Sequence, residues 1–152
     1  METTPFNIVT AGLSDLGELR QIEKECFSRD AWPLLDLLGV LTFPGVARFK
    51  AVVGGHMVGF AAGDPRSGEG LGWITTIGVR VAYRRQGVAT ALLHACEAAM
   101  HLPRVRLCVR KSNQAARSLY AREGYREVDI WPAYYAGGED AVVLEKHIPN
   151  VG

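Results

Sequence analysis

Hydrophobic residues recur every three or four positions in three stretches of the chain, a spacing that predicts amphipathic helices. The first of these helices follows a suitable N-cap at Ser14 or Asp15, and its apolar face consists of Leu16, Leu19, Ile22, Cys26 and Phe27. The other two are predicted over residues 89–100 and 112–124. A shorter apolar run, LLDLLGVL, is predicted to form a fourth helix, because the preceding Pro33 favours a helix start.

Runs rich in β-branched residues predict the strands between these helices. Two strands flank Gly54 and Gly55, a two-residue turn that suits a β-hairpin. The run LGWITTIGVRV, residues 71–81, carries apolar residues on both faces and is expected at the centre of the sheet. The remaining strands are predicted at residues 7–11, 105–110, 125–131 and 140–148. This order predicts one mixed α/β domain over residues 1–152, with a single sheet and helices on both of its faces.

The composition is that of an ordinary globular domain, with 48% hydrophobic and 22% charged residues. A formal net charge of +1 argues against nucleic acid as a partner. Cys26, Cys96 and Cys108 show neither metal-ligand spacing nor the even number of a disulfide framework, which indicates a reducing compartment. No apolar run reaches the ~20 residues of a membrane span, and the first residues lack a signal-peptide pattern. We therefore expect a cytoplasmic protein without a metal site or a membrane partner.

Positive charge is concentrated in the middle of the chain. Residues 80–126 contain ten arginine and lysine residues but only two acidic ones, Glu97 and Glu123. This asymmetry indicates an anionic ligand bound locally, although solvated helix faces account for part of it.

Within this basic segment, RRQGVA connects the predicted central strand to the next helix. A helix start presents unpaired N–H groups and the positive end of the helix dipole, and Gly87 leaves room for a phosphate. Arg84 and Arg85 add positive charge. The stretch is neither a Walker loop nor a GxGxxG turn. These features alone predict either a pyrophosphate site or a strand–helix turn in which Gly87 only supplies the backbone conformation.

The same stretch resembles the Q/R-x-x-G-x-G/A signature of the GNAT acetyltransferases, with Arg84, Gly87 and Ala89 in its three defined positions. The runs LCVRKSNQAARSLYAREGY and YYAGGEDAVVLEK follow in the order typical of its protein N-terminal acetyltransferase branch, which includes the bacterial RimI type. The resemblance covers residues 71–148 well and the first seventy residues only in layout. It implies a mostly antiparallel, splayed sheet of six to seven strands with about four helices.

The resemblance also implies acetyl-CoA as the cofactor. Its pyrophosphate would rest on residues 85–90, and its pantetheine arm would pair with Ile77 and Val79, where Gly78 allows close approach. The cofactor-binding residues so implied are Ile77, Gly78, Val79, Arg84, Arg85, Gln86, Gly87, Val88, Ala89, Thr90, Asn113 and Tyr120.

Amide formation from an amine needs a proton acceptor for the amine and benefits from a proton donor for the thiolate. The resemblance makes Tyr120 the general acid, although a tyrosine packed on the core is the alternative. The family's glutamate or histidine base is replaced by Cys108, which we expect to pack and not to catalyse. Asp30 is a candidate to hold the amine or relay its proton, or else a helix cap. Glu23 is a weaker candidate for the same role and is assigned to the solvent side of the first helix.

The expected substrate is a protein or peptide N-terminus. The resemblance implies that Tyr134 and Tyr135 form one wall of its groove, while Phe27, Asp30 and Trp32 lie on the other. Two alternatives remain: a GNAT enzyme for a free small amine, and a non-catalytic acyl-CoA-binding regulatory domain. The sequence leaves the oligomeric state open.

Overall fold

In the computed structural model, which describes residues 5–27 and 34–149, seven strands form one sheet and four α-helices pack on its two faces. The strands are β1 (Asn7–Thr10), β2 (Ala47–Val53), β3 (His56–Arg66), β4 (Leu71–Val79), β5 (Arg104–Arg110), β6 (Arg126–Trp131) and β7 (Ala141–His147). The helices are α1 (Leu16–Cys26), α2 (Leu34–Thr42), α3 (Val88–Met100) and α4 (Gln114–Arg122). The mixed α/β fold predicted from the sequence is confirmed.

The sheet has the order β1-β2-β3-β4-β5-β7-β6, so β4 lies at its centre as predicted. Neighbouring strands are antiparallel except for β4 and β5. These two pair only at their starts, Leu71–Trp73 with Arg104–Arg106. Beyond these residues β4 and β5 diverge, and the sheet is open between them.

Each face of the sheet has its own apolar core. On one face, Leu92 and Leu93 of α3 and Tyr120 of α4 pack with Val105 and Leu107 of β5. On the other face, α1 and α2 pack against β3 through a cluster that includes Leu19, Ile22, Leu37, Met57 and Phe60. Burial contributes about 1.5–3 kcal/mol for each large apolar side chain. The two cores therefore hold the helices on the sheet from both faces.

The start of α1 differs from the sequence prediction. Asp15 is at the N-cap position, but its side chain caps no N–H group of α1. A 3₁₀ turn over Leu13–Asp15 precedes the helix, and the Asp15 carboxylate accepts from the Gly12 N–H at 2.8 Å and binds Lys50 Nζ at 2.7 Å. The carboxylate thus ties the helix start to β2. None of the helices in the described ranges is long and apolar enough to cross a bilayer.

Candidate active site

The divergence of β4 and β5 opens a cavity of about 320 Å³ through the sheet. Residues from both faces line it, because side chains alternate along the two strands. The lining residues are Cys26, Phe27, Ile74, Thr75, Thr76, Ile77, Leu107, Cys108, Val109, Arg110, Asn113, Ala116, Tyr120 and Tyr135. Of the predicted site residues, Phe27, Ile77, Asn113, Tyr120 and Tyr135 are therefore brought together in one cavity.

The main chain of β4 presents hydrogen-bonding groups to this opening. The Arg80 N–H donates to the Val58 carbonyl of β3 at 2.8 Å, which makes Arg80 and Val58 a hydrogen-bonded pair. Because such pairs alternate in an antiparallel ladder, the N–H and C=O groups of Ile77 and Val79 point away from β3. They face the gap, which is the direction in which an added strand-like arm would pair.

The start of α3 forms a cradle of main-chain N–H groups, an arrangement suited to an anion. Gly87 is the N-cap with φ 84°, and no side chain caps the first N–H groups of the helix, those of Val88, Ala89 and Thr90. Arg85 is also left-handed, with φ 63°. Left-handed residues in a turn point successive N–H groups into one concavity. A Cβ on Gly87 would meet no protein atom within 4 Å, so the space above the helix start is open to a ligand.

Arg84 does not extend into this cradle. Its Nε donates to the Val79 carbonyl at 2.9 Å, and its guanidinium reaches Cys26 Sγ at 3.6 Å. The expectation that its charge serves the anion is therefore corrected: the side chain pins the turn to β4 and to the end of α1. Val88 is likewise buried in the core, so only its N–H group is available to a ligand.

The structure also gives a reason for a glycine at position 78 that differs from the predicted one. A Cβ there would lie 3.2 Å from Cys26 Sγ and 3.3 Å from Phe27 Cε2. Its main chain forms part of the β3–β4 ladder opposite Phe60. The close approach that Gly78 permits is that of the α1 end, which brings Phe27 over the cavity.

Two residues of the α4 region contact the cavity from the opposite face. Tyr120 is buried, its ring packs edge-on against Tyr125, and burial raises the pKa of its phenol. A phenol with a raised pKa keeps its proton at neutral pH and can donate it. Asn113 caps α4 by accepting from the Ala116 N–H at 3.1 Å, so its side-chain amide donors are directed elsewhere.

The cysteines in the cavity are weak acids. Burial raises the pKa of Cys108 to about 11. Burial also raises the pKa of Cys26, although Arg84 opposes the shift. Both thiols are therefore neutral at physiological pH, and the prediction that Cys108 is no general base has this physical support.

The burial of one carboxylate next to the cavity differs from the sequence prediction. Glu23, the weaker candidate expected on the solvent side of α1, is only 2% exposed, and its Oε1 accepts from the Thr76 hydroxyl at 2.8 Å. The signal was present in the helical spacing, since Glu23 follows Leu19 by four residues and precedes Cys26 by three. It therefore lies in the apolar stripe that faces the sheet.

The loop between β6 and β7 supplies the aromatic wall, but its two tyrosines differ. Tyr135 lines the cavity, whereas Tyr134 is 56% exposed and packs on Trp131 and Tyr135. Arg110 lies 4.8 Å from the Tyr135 ring centroid and pairs with Glu139 at 2.8 Å.

Glu139 anchors this loop. It accepts from the Ser112 N–H at 2.7 Å, and hydrogen bonds from Ser112 and Arg110 lower its pKa to about 2. The carboxylate therefore stays ionised and ties the loop to the start of α4. The other predicted wall residues, Asp30 and Trp32, lie outside the described residues.

Comparison with known proteins gives a consistent result. Residues 16–125 match the Acetyltransferase (GNAT) family. The chain is 34% identical over 140 residues to an uncharacterized N-acetyltransferase of Methanocaldococcus jannaschii, covering 90% of this chain and 88% of that protein. It is 32% identical over 155 residues to an N-alpha-acetyltransferase of Sulfurisphaera tokodaii, covering 91% of each.

A solved structure is also similar over nearly the whole length. The ribosomal-protein-S18-alanine N-acetyltransferase of Escherichia coli superposes with a TM-score of 0.87 at 26% identity, covering 97% of both chains. The open sheet and the cradle at α3 thus occur in a fold that is shared with an enzyme of acetyl transfer.

Proposed function

The chain belongs to the acetyltransferase (GNAT) family, and from this premise we propose that it transfers an acetyl group from acetyl-CoA to the N-terminal α-amine of a protein or peptide. The observation that carries the proposal is the cavity between β4 and β5. It passes through the sheet, so a donor held on the α3 and α4 face can meet an acceptor held on the α1 face. The names of the relatives support the choice of an α-amine over other amines.

The residues of the α3 face fit the donor. Acetyl-CoA supplies an acetyl group bound as a thioester. The N–H groups at the start of α3 would hold its pyrophosphate, since they are uncapped and Gly87 leaves the approach open. The N–H and C=O groups of Ile77 and the N–H of Val79 would pair with its amide-bearing arm, since the Val79 carbonyl accepts from Arg84. Asn113 and Tyr120 would line its reactive end.

Tyr120 is the proposed general acid. Within the described part of the chain its hydroxyl forms no hydrogen bond, and its burial keeps the phenol protonated. A proton donated from this oxygen would neutralise the departing thiolate. Tyr125, packed edge-on with ring centroids 5.8 Å apart, fixes the orientation of the Tyr120 ring.

The α1 face fits a slender acceptor. Phe27 and Tyr135 stand at the cavity from two separate elements, the end of α1 and the β6–β7 loop. An extended N-terminus can enter between such walls more readily than a lysine on a folded surface. Asp30 remains a predicted contact for the amine. All three cysteines are free thiols, which agrees with a cytoplasmic location, and we include that location in the proposal.

Turnover of acetyl-CoA with peptides tests the proposal. A library of short peptides that vary in the first two residues is compared with polyamines, amino acids and α-N-blocked lysine peptides. We expect acetylation of free N-termini and little of the other amines. Acceptance of free small amines alone would replace this function with the small-amine alternative. Binding of acetyl-CoA without any turnover would support the regulatory domain.

A further inference from the structure

The acceptor side of the cavity contains a pair of hydrogen-bonded side chains that have no role in the acetyl transfer proposed above. Thr76 is only 8% exposed and lines the cavity, and behind it lies the buried Glu23. The Thr76 hydroxyl donates to Glu23 Oε1 at 2.8 Å. Because the single hydroxyl proton is committed to Glu23, the free lone pairs of Thr76 Oγ1 are left as acceptors for a donor in the cavity.

The charge of Glu23 acts inside the cavity. Cys26 follows Glu23 by three residues on α1 and lines the same cavity. The charge of Glu23 is among those that raise the pKa of the Cys26 thiol. A buried carboxylate is costly unless a cation or hydrogen-bond donors compensate it. A primary ammonium in the cavity would add such compensation.

The neighbouring groups do not supply a base in place of Glu23. Within the described ranges, the titratable or charged side chains that line the cavity are Cys26, Cys108, Arg110, Tyr120 and Tyr135. Arg84 and Glu25 act on Cys26 from beside the cavity. Cys26 and Cys108 are neutral thiols, and Arg110 is paired with Glu139. Arg84 donates to Val79 and Cys26. In the same ranges, two carboxylates accept from cavity-lining side chains: Glu139 is paired with the Arg110 guanidinium, whereas Glu23 accepts from the uncharged Thr76 hydroxyl.

We propose that Thr76 and Glu23 form the subsite for the substrate's N-terminal ammonium, with Glu23 as the final acceptor of its proton. This inference rests on the proposed function. The amine N–H donates to Thr76 Oγ1 and transfers its proton to that oxygen. The Thr76 hydroxyl proton passes at the same time to Glu23 Oε1, so the amine becomes neutral, Thr76 is unchanged and Glu23 is protonated. After the product leaves, Glu23 returns the proton through the Thr76 hydroxyl to water that enters the cavity. Thr76 contacts the substrate, and Glu23 acts through it as a positioning residue.

The pH profile of kcat/KM tests this proposal with a peptide that the wild-type protein acetylates. The wild-type enzyme accepts the ammonium form, so its activity should persist below the pKa of the free peptide amine, which is about 8. Glu23→Gln keeps an oxygen to accept from Thr76 but removes the charge. It should be reduced about tenfold or more at pH 6.5 and approach wild-type activity at pH 9, where the amine is already neutral.

Thr76 variants provide the matched control. Thr76→Val, which removes the hydroxyl at nearly constant shape, should reproduce the Glu23→Gln profile. Thr76→Ser should restore the wild-type profile. Acetyl-CoA affinity should stay unchanged in all three variants, since none of them touches the cradle at α3.

A second measurement uses binding alone. A peptide whose N-terminal amine is replaced by a hydroxyl should compete less well than the parent peptide with wild-type protein, and equally well with Glu23→Gln. A loss of kcat/KM by the same factor at every pH, or unchanged discrimination between the two peptides, would overturn the subsite while leaving N-terminal acetylation intact. Failure of the wild-type protein to acetylate any peptide would overturn both proposals.

Discussion

The two ends of the cavity are built in different ways. On the donor side, the cradle consists of main-chain N–H groups from a few consecutive residues around Gly87. On the acceptor side, side chains come from α1, β4, β5 and the β6–β7 loop, which are far apart in sequence. A ligand held by main chain depends on backbone conformation and tolerates side-chain change. A site built from separate side chains can be altered one residue at a time. The choice of acceptor substrate can therefore change while the donor site stays the same.

The largest effect should come from disrupting the main-chain cradle. Gly87→Glu forces a side chain onto a φ of 84°, fills the space above the helix start and adds negative charge there. Left-handed strain costs roughly 1–2 kcal/mol, and charge repulsion adds to it. We expect acetyl-CoA affinity to fall by about 100-fold or more, as measured by calorimetry.

Gly55→Glu is the matched control for that variant. Gly55 has φ 79° with open space around it, but lies in the β2–β3 turn away from α3. It should show similar strain in thermal unfolding and normal acetyl-CoA affinity. Normal binding by Gly87→Glu would place the donor elsewhere.

The next effect tests the point where the two sides meet. Tyr120→Phe removes the proposed proton donor but keeps the edge-on contact with Tyr125. We expect kcat to fall by roughly 100-fold, with acetyl-CoA affinity preserved, as determined by steady-state kinetics.

Tyr125→Phe separates this chemistry from packing. The Tyr125 hydroxyl donates to Glu97 at 2.7 Å outside the cavity lining, so its loss should lower the thermal midpoint and spare kcat. Full turnover by Tyr120→Phe would exclude its role as general acid.

A smaller effect should distinguish the two tyrosines of the acceptor wall. Tyr135→Ala removes a cavity-lining ring and should raise the peptide KM about tenfold, equivalent to about 1.4 kcal/mol. Tyr134→Ala removes a more exposed ring and should raise it only about threefold. Neither change should alter the KM for acetyl-CoA. Equal effects of the two variants would mean that Tyr134, too, contacts the peptide.

The smallest effect is expected at Cys108. Its thiol has a pKa raised to about 11 by burial, so it is protonated throughout the range from pH 6 to 9. The raised value also means that any stabilisation from the neutral thiol is fully present below its ordinary pKa of 9.0 and is lost as the pH rises from there through about 11. Cys108→Ala should keep at least half of the activity at every pH from 6 to 9. A steep loss confined to high pH would assign the thiolate a catalytic role.

The difference between the two sides also explains what the sequence could predict. The cradle is a contiguous strand–turn–helix signal, and the order of elements, the hairpin at Gly54 and Gly55 and the central strand β4 all follow from local patterns. The orientation of the Arg84 side chain could not be predicted from local patterns. Its acceptor, the Val79 carbonyl, becomes available only where β4 and β5 diverge.

The buried pair of Glu23 and Thr76 illustrates the same limit. These residues are 53 positions apart, and only the packing of α1 on β4 brings them together. A charged residue in a helix is ordinarily assigned to solvent. The helical spacing indicates a buried position for Glu23, whereas its charge indicates an exposed one.

The central claim, that donor and N-terminal acceptor meet in one cavity through the sheet, is tested most directly by a bisubstrate ligand. Coenzyme A is joined through an acetyl linker to the α-amine of an accepted peptide, and its affinity is compared with that of coenzyme A alone and of a conjugate joined through a lysine side chain with a blocked N-terminus. We expect the α-amine conjugate to bind at least about tenfold more tightly than either, a gain of roughly 1.4 kcal/mol. Equal affinity of the α-amine conjugate and coenzyme A, or tighter binding of the lysine conjugate, would contradict it.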